Sequence, residues 1–130
     1  MSYKETIESF IYDYPILEFH YLDRKDLIFS EKVRFICEHE CEHYGHSWAC
    51  PPAIGSIQSC IRECEKYSRA FLFSTIAQVE DSLNFEACLK ARRQHENMTL
   101  KLRERFRQEF GDVLALSTGC MQCETCAYPD

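Results

Sequence analysis

Between Ser82 and Glu109 the sequence contains neither proline nor glycine. Along this stretch Leu83, Ala87, Ala91, Met98, Leu102, Phe106 and Phe110 recur at steps of four or seven, the spacing of one face of an α-helix. A single straight helix over it would run about 40 Å. That is roughly the width of a whole domain of this length, so the segment is expected either to break or to project. Gly111 supplies its stop.

The remaining elements are shorter. Residues 4–13 read as a helix with Ile7, Phe10 and Ile11 at helical spacing, stopped by Pro15. Leu17, Phe19 and Tyr21 alternate with Glu18 and His20, which suits a strand within 16–22. Ser30 is a fair N-cap for a helix over 31–38 that delivers Cys37 at its end. Residues 39–55 break regularity, and Ser56 then caps a helix over 57–67 with Ile57, Cys60, Ile61 and Cys64 on one face. The apolar run from Arg69 to Ile76 reads as an inner strand, and Asp112 to Ser117 as a third. Hydrophobic residues at 45% and charged residues at 28% fit a globular chain rather than a disordered one. The expected fold is α+β (mixed α/β): a single domain over 1–130, about three strands covered by helices, a cysteine-rich loop and a C-terminal cysteine triad.

Nine cysteines in 130 residues are the outlier. The opening Met1-Ser-Tyr-Lys-Glu has no apolar core of a signal peptide, and no run of about 18 apolar residues exists. The expected compartment is therefore the reducing cytoplasm, with no membrane partner. There disulfides are rare, and an odd count leaves one thiol unpaired in any case. A net charge of −6 argues against a general nucleic-acid binder.

The last seven-residue cysteine segment, Cys120-Met-Gln-Cys123-Glu-Thr-Cys126, is C-x2-C-x2-C. Two intervening residues let successive thiolates turn toward one centre, as an iron–sulfur cubane requires, and bacterial ferredoxins use the same spacing. A zinc site on two or three of these thiolates is the rival reading. Three inert loop thiols is the plain one, disfavoured because clustered free cysteines are reactive.

A second constellation is Cys37-x3-Cys41-x8-Cys50-Pro51-Pro52, with His39, His43 and His46 among its members. Pro51 pushes Cys50 toward extended backbone, and Pro52 stiffens the chain beyond it. Thiolates with imidazoles suit zinc or iron, although each histidine taken singly reads as a loop residue before it reads as a ligand. The spacing differs from the C-x3-C-x2-C of cluster-based radical enzymes. Cys60, Cys64 and Cys88 read as core packing, His95 as a hydrogen-bonded histidine, and the basic runs around Lys90–Arg93 and Arg103–Arg107 as a solvated helix face.

Taken in order, Cys37-x3-Cys41-x2-Tyr44-x3-Trp48-x-Cys50-Pro51-Pro52, Tyr67 before an apolar strand, and Gly119-Cys120-x2-Cys123-x2-Cys126-x-Tyr128-Pro129-Asp130 resemble a bacterial and archaeal family of predicted metal-binding proteins of unknown function, domain-of-unknown-function family 2284. The likeness runs from about residue 30 to the last residue. It implies a metal and no established reaction. Members of that family usually continue past the triad with a further Pro-Cys element, whereas this sequence stops at Asp130. A fourth ligand is then expected from Cys37, Cys41 or Cys50; otherwise the cluster is incomplete, with one iron open or lost, or the chain is a shortened version.

Three functions stand as expectations. The first is an iron–sulfur protein, of the 4Fe-4S type, serving electron transfer or acting as an accessory subunit, with Cys120, Cys123 and Cys126 holding the cluster and Cys37, Cys41 and Cys50 as further metal ligands. Its partner would be a redox protein or an enzyme complex. The second is a zinc-organised interaction module. The third is an enzyme using an open metal position as a Lewis acid, for which no nucleophile–base pair, phosphate loop or dinucleotide fingerprint appears. A long exposed stripe would also suit a homodimer.

Overall fold

The computed structural model describes residues 2–117 and 126–128. Its order is helix α1 (Tyr3–Glu8), a 3-10 turn at Ile11–Asp13, strand β1 (Glu18–Asp23), a 3-10 turn at Arg24–Asp26, helix α2 (Glu31–His39), helix α3 (Ile57–Cys64), strand β2 (Arg69–Ser74) and helix α4 (Phe85–Phe110). The class is α+β, as expected. The chain divides into two compact units, whose described residues are 2–20 with 71–117 and 21–70 with 126–128.

β1 and β2 form a two-stranded sheet. Leu17 donates to the Ser74 carbonyl at 2.8 Å and Arg24 to the Ser68 carbonyl at 3.0 Å, so the strands run antiparallel. The expected third strand does not form: residues 112–117 join no ladder. Their composition suits a strand, but strand propensity reflects fit to a pleated, half-buried surface, and here Leu116 is left 69% exposed. β2 is likewise not buried on both faces. Phe71 and Phe73 turn inward while Leu72 is 54% exposed, so the apolar run alternates after all.

In the first unit, α1 is capped by the Ser2 hydroxyl, which accepts from the Glu5 amide, and it stops at Glu8 rather than running on to residue 13. The chain continues as the short Ile11–Asp13 turn, which keeps Phe10 and Ile11 on the inner side. Ile7, Phe10 and Ile11 are buried together with Met98 and Leu102 of α4. Phe106 meets Phe10 in a T-shaped contact at 5.6 Å and lies 5.2 Å from Phe71, which in turn stacks on Phe19 at 5.4 Å. Each such ring pair adds about 0.5–1.5 kcal/mol beyond the area it buries.

α4 is one unbroken helix of 26 residues, about 39 Å long. Asn84 caps it by accepting from the Ala87 amide, and Gly111, at φ +85°, leaves it with its N–H on the Arg107 carbonyl. The inward face carries Met98 and Leu102 but also the buried Glu96 and Thr99. Thr99 returns its hydroxyl to the His95 carbonyl at 2.9 Å, and Glu96 accepts from the Ser117 hydroxyl at 2.8 Å. Arg105 is not a purely solvated residue: its guanidinium lies 4.5 Å from the Phe10 ring and 3.1 Å from Glu109.

In the second unit, α2 and α3 start on serine caps, Ser30 and Ser56. Arg34 of α2 donates to the Gly55 carbonyl at 2.8 Å, just before α3 begins. Residues 41–55 form a chain of tight turns. Gly45, at φ +75°, donates to the Pro51 carbonyl at 2.8 Å, and the amides of His46 and Cys50 reach back to His43 and Ser47. Pro51 is buried at the centre of this loop.

Candidate metal centre

The middle loop carries Cys41, His43, His46 and Cys50 within a frame of backbone hydrogen bonds, with His39 at the last position of α2. Such a frame fixes side-chain directions without regular secondary structure. Cys37 sits half-buried on α2, Cys41 is exposed just past its end, and Cys50 is half-buried in the turns before Pro51. His39 lies exposed against the Phe35 ring at 4.1 Å, and His43 is exposed beside Glu42 at 4.0 Å.

Cys126, the last thiol of the terminal triad, is half-buried and meets this loop. Its sulfur accepts hydrogen bonds from the backbone N–H groups of Trp48 and Tyr128 and from the Ser47 side chain. The Trp48 N–H, then the Tyr128 N–H, hold the thiol below its ordinary pKa against the opposing effect of burial, and Ser47 adds to the lowering. The rings of Trp48 and Tyr128 meet edge to face at 4.9 Å. The terminal and middle motifs are thus joined at Ser47, Trp48 and Cys126, with Cys50 two residues along from Trp48.

Cys120 and Cys123 lie outside the described residues. Among the described residues, no three histidine, cysteine, aspartate or glutamate side chains form a group that could hold a metal ion. Cys37, Cys41, Cys50 and Cys126 therefore do not converge by themselves. The donor chemistry still suits a thiolate-bound group, because a sulfur that accepts two backbone N–H bonds is prepared to carry charge.

Ser47 and Tyr128 had no signature in the sequence as sulfur donors; their role arises only because the loop places them there. The remaining cysteines belong to neither motif. Cys88 is half-buried on α4 and donates to the Ser82 carbonyl at 3.6 Å. Cys60 and Cys64 are half-buried on α3, none of whose residues is buried, so they do not pack in a core as their spacing suggested. His95 has the expected partner, with Nδ1 2.7 Å from the Thr75 hydroxyl and its ring stacked on Phe73.

The fold and this loop define a cysteine-rich α+β protein in which one thiol of the terminal triad, Cys126, is held against the middle loop. The family model described as predicted metal-binding protein (DUF2284) matches residues 20–130, and the chain belongs to that family. The strongly buried Ile7, Phe10 and Ile11 lie outside the matched stretch. No curated protein and no solved structure gives a match. Among the described residues, no helix is long and apolar enough to cross a membrane.

Proposed function

We propose that the chain carries a four-iron iron–sulfur cluster on Cys120, Cys123 and Cys126, completed by one of Cys37, Cys41 and Cys50, and works in electron transfer or as the accessory subunit of a redox enzyme in the cytoplasm. The observation that supports this reading best is the sulfur of Cys126, which accepts from the Trp48 and Tyr128 amides and from Ser47. Hydrogen bonds of this kind stabilise thiolate ligands and tune the potential of iron–sulfur centres. The cluster, when bound, supplies one-electron chemistry.

The protein's own residues supply the rest. The turns anchored by Gly45 and the buried Pro51 hold Ser47 and Trp48 in place. Those two residues orient the Cys126 sulfur, and the Trp48–Tyr128 ring contact links the loop to the residues around it. The C-x2-C-x2-C spacing provides the other two thiolates from the same segment.

The test is iron, zinc and acid-labile sulfide analysis with a visible spectrum on protein purified without oxygen. Iron and sulfide in matching amounts, with broad charge-transfer absorption lost in Cys126→Ser, is the expected result. Stoichiometric zinc without sulfide would overturn the cluster and replace it with a zinc-organised interaction module.

A further inference from the structure

A separate pair of thiols sits on α3. Cys60 and Cys64 are four residues apart on this helix, on one face and one turn from each other. Both are half-buried, which leaves them shielded but reachable. Helical spacing sets their Cβ atoms about 5–6 Å apart. A disulfide needs about 3.5–4.5 Å, so the intact helix resists direct S–S bonding. An atom inserted between the sulfurs adds two metal–thiolate bonds of about 2.3 Å each, as for zinc, and spans that gap without distorting the helix.

A cation stands beside one of the two thiols. The Arg34 Nη2 lies 3.9 Å from the Cys60 sulfur, while its Nη1 is fixed on the Gly55 carbonyl at 2.8 Å. Gly55 itself cannot easily be replaced, since its φ is +92° and an added Cβ would stand 2.8 Å from the Ser59 hydroxyl. The guanidinium is therefore held beside the thiol by a constrained turn. In the resting protein the Cys60 S–H points to the Ile54 carbonyl at 3.5 Å. The Cys64 thiol is held above its ordinary pKa by burial first, then by Cys60 and Glu63, so it is protonated until something displaces the proton.

We propose that Cys60 and Cys64 form a second, independent metal site that chelates a thiophilic monovalent ion, copper(I), between two thiolates beside Arg34. Binding exchanges two S–H protons for one copper(I), giving a bis-thiolate complex of net charge −1 that the Arg34 guanidinium neutralises. Among the described residues no third histidine or carboxylate completes a group with this pair, which suits a soft ion of low coordination number rather than a four-coordinate one. The site does not rest on the identity of the metal at the terminal triad.

The test uses the full chain as purified, with its resident metal. Copper(I) is delivered from a colorimetric chelator under anaerobic conditions, and the remaining thiols are alkylated and mapped by mass spectrometry. The expected result is that the first equivalent protects Cys60 and Cys64 together while leaving the metal content of the terminal centre unchanged. Cys64→Ser should abolish this protection. The double change Cys64→Ser with Glu65→Cys, which keeps the number of thiols but moves one off the shared face, should abolish it too, with the helical circular dichroism retained. Arg34→Gln should keep the stoichiometry and weaken the binding by up to about fivefold, the range of a partly exposed charge pair. Protection falling first on Cys37, Cys41, Cys50 or the terminal triad, or surviving the moved thiol, overturns the proposal.

Discussion

The sulfur of Cys126 accepts a hydrogen bond from the backbone N–H of Trp48, a residue 78 positions earlier in the chain. Through that bond and the one from the Ser47 side chain, a terminal segment and a mid-chain loop share a thiol. Backbone donors cannot be removed by side-chain substitution, so Ser47 is the donor to delete. With a cluster bound, Ser47→Ala should keep iron and sulfide content but lower the midpoint potential, because one donor to a ligand sulfur is lost. Potentiometric titration checks this, and an unchanged potential with full iron would remove Ser47 from the centre.

The same hydrogen bonds make a pH prediction for metal-free protein. The Trp48 N–H, followed by that of Tyr128, favours the thiolate of Cys126, whereas burial and then Cys60 disfavour that of Cys64. Alkylation proceeds through the thiolate. The rate at Cys126 should therefore reach its plateau at lower pH than an ordinary thiol, and the rate at Cys64 at higher pH. Residue-resolved iodoacetamide kinetics across roughly the span of thiol titration, about pH 6 to about pH 10, test the order. A reversed order would contradict the hydrogen bonding described.

Phe10 is 2% exposed and carries ring contacts to Tyr14 and Phe106. Phe10→Ala should cost about 3–5 kcal/mol in urea unfolding, the range for emptying a buried aromatic site. Phe10→Leu, which keeps most of the volume, should cost clearly less. Equal losses would mean that the ring's own geometry, rather than the filled space, dominates.

Ser117 ties the 112–117 segment to α4 through its hydroxyl, which donates to the buried Glu96 at 2.8 Å. Ser117→Ala should lower stability by about 1.5–3 kcal/mol, the range for a hydrogen bond to a charged group. Thermal unfolding followed by circular dichroism reads this directly. A change of a few tenths would show that the carboxylate is satisfied by its other surroundings.

Two glycines separate backbone strain from steric overlap. Gly45 and Gly55 have φ of +75° and +92°, but a Cβ at Gly45 would meet nothing within 4 Å, whereas one at Gly55 would stand 2.8 Å from the Ser59 hydroxyl. Gly45→Ala should cost about 1–2 kcal/mol from conformation alone, and Gly55→Ala more. Chemical denaturation of the two variants side by side makes the comparison, and equal costs would show that Ser59 moves aside freely.

The long helix was legible because periodicity, the absence of breakers and a terminal glycine all pointed the same way over residues 82–111. Its start at Phe85 needed Asn84 as cap, which leaves Leu83 outside the helix and 87% exposed. Caps at Ser30 and Ser56 were equally local and equally readable. The third strand failed because a ladder needs a partner edge, and a partner is not a property of six residues.

The sequence by itself determined the long helix, the capped starts of α2 and α3, the two cysteine-rich segments and the family, since all of these are set by spacing and local chemistry, whereas α1 stops at Glu8 and α3 at Cys64, short of the expected 13 and 67. Only the tertiary structure decided which residues touch the thiols. Ser47, Trp48 and Tyr128 surround Cys126, and Arg34 stands beside Cys60. A backbone N–H is present at every residue but proline, so no pattern marks the one that will donate to a sulfur. That choice is made when the turns of the middle loop and the chain's last residues pack together.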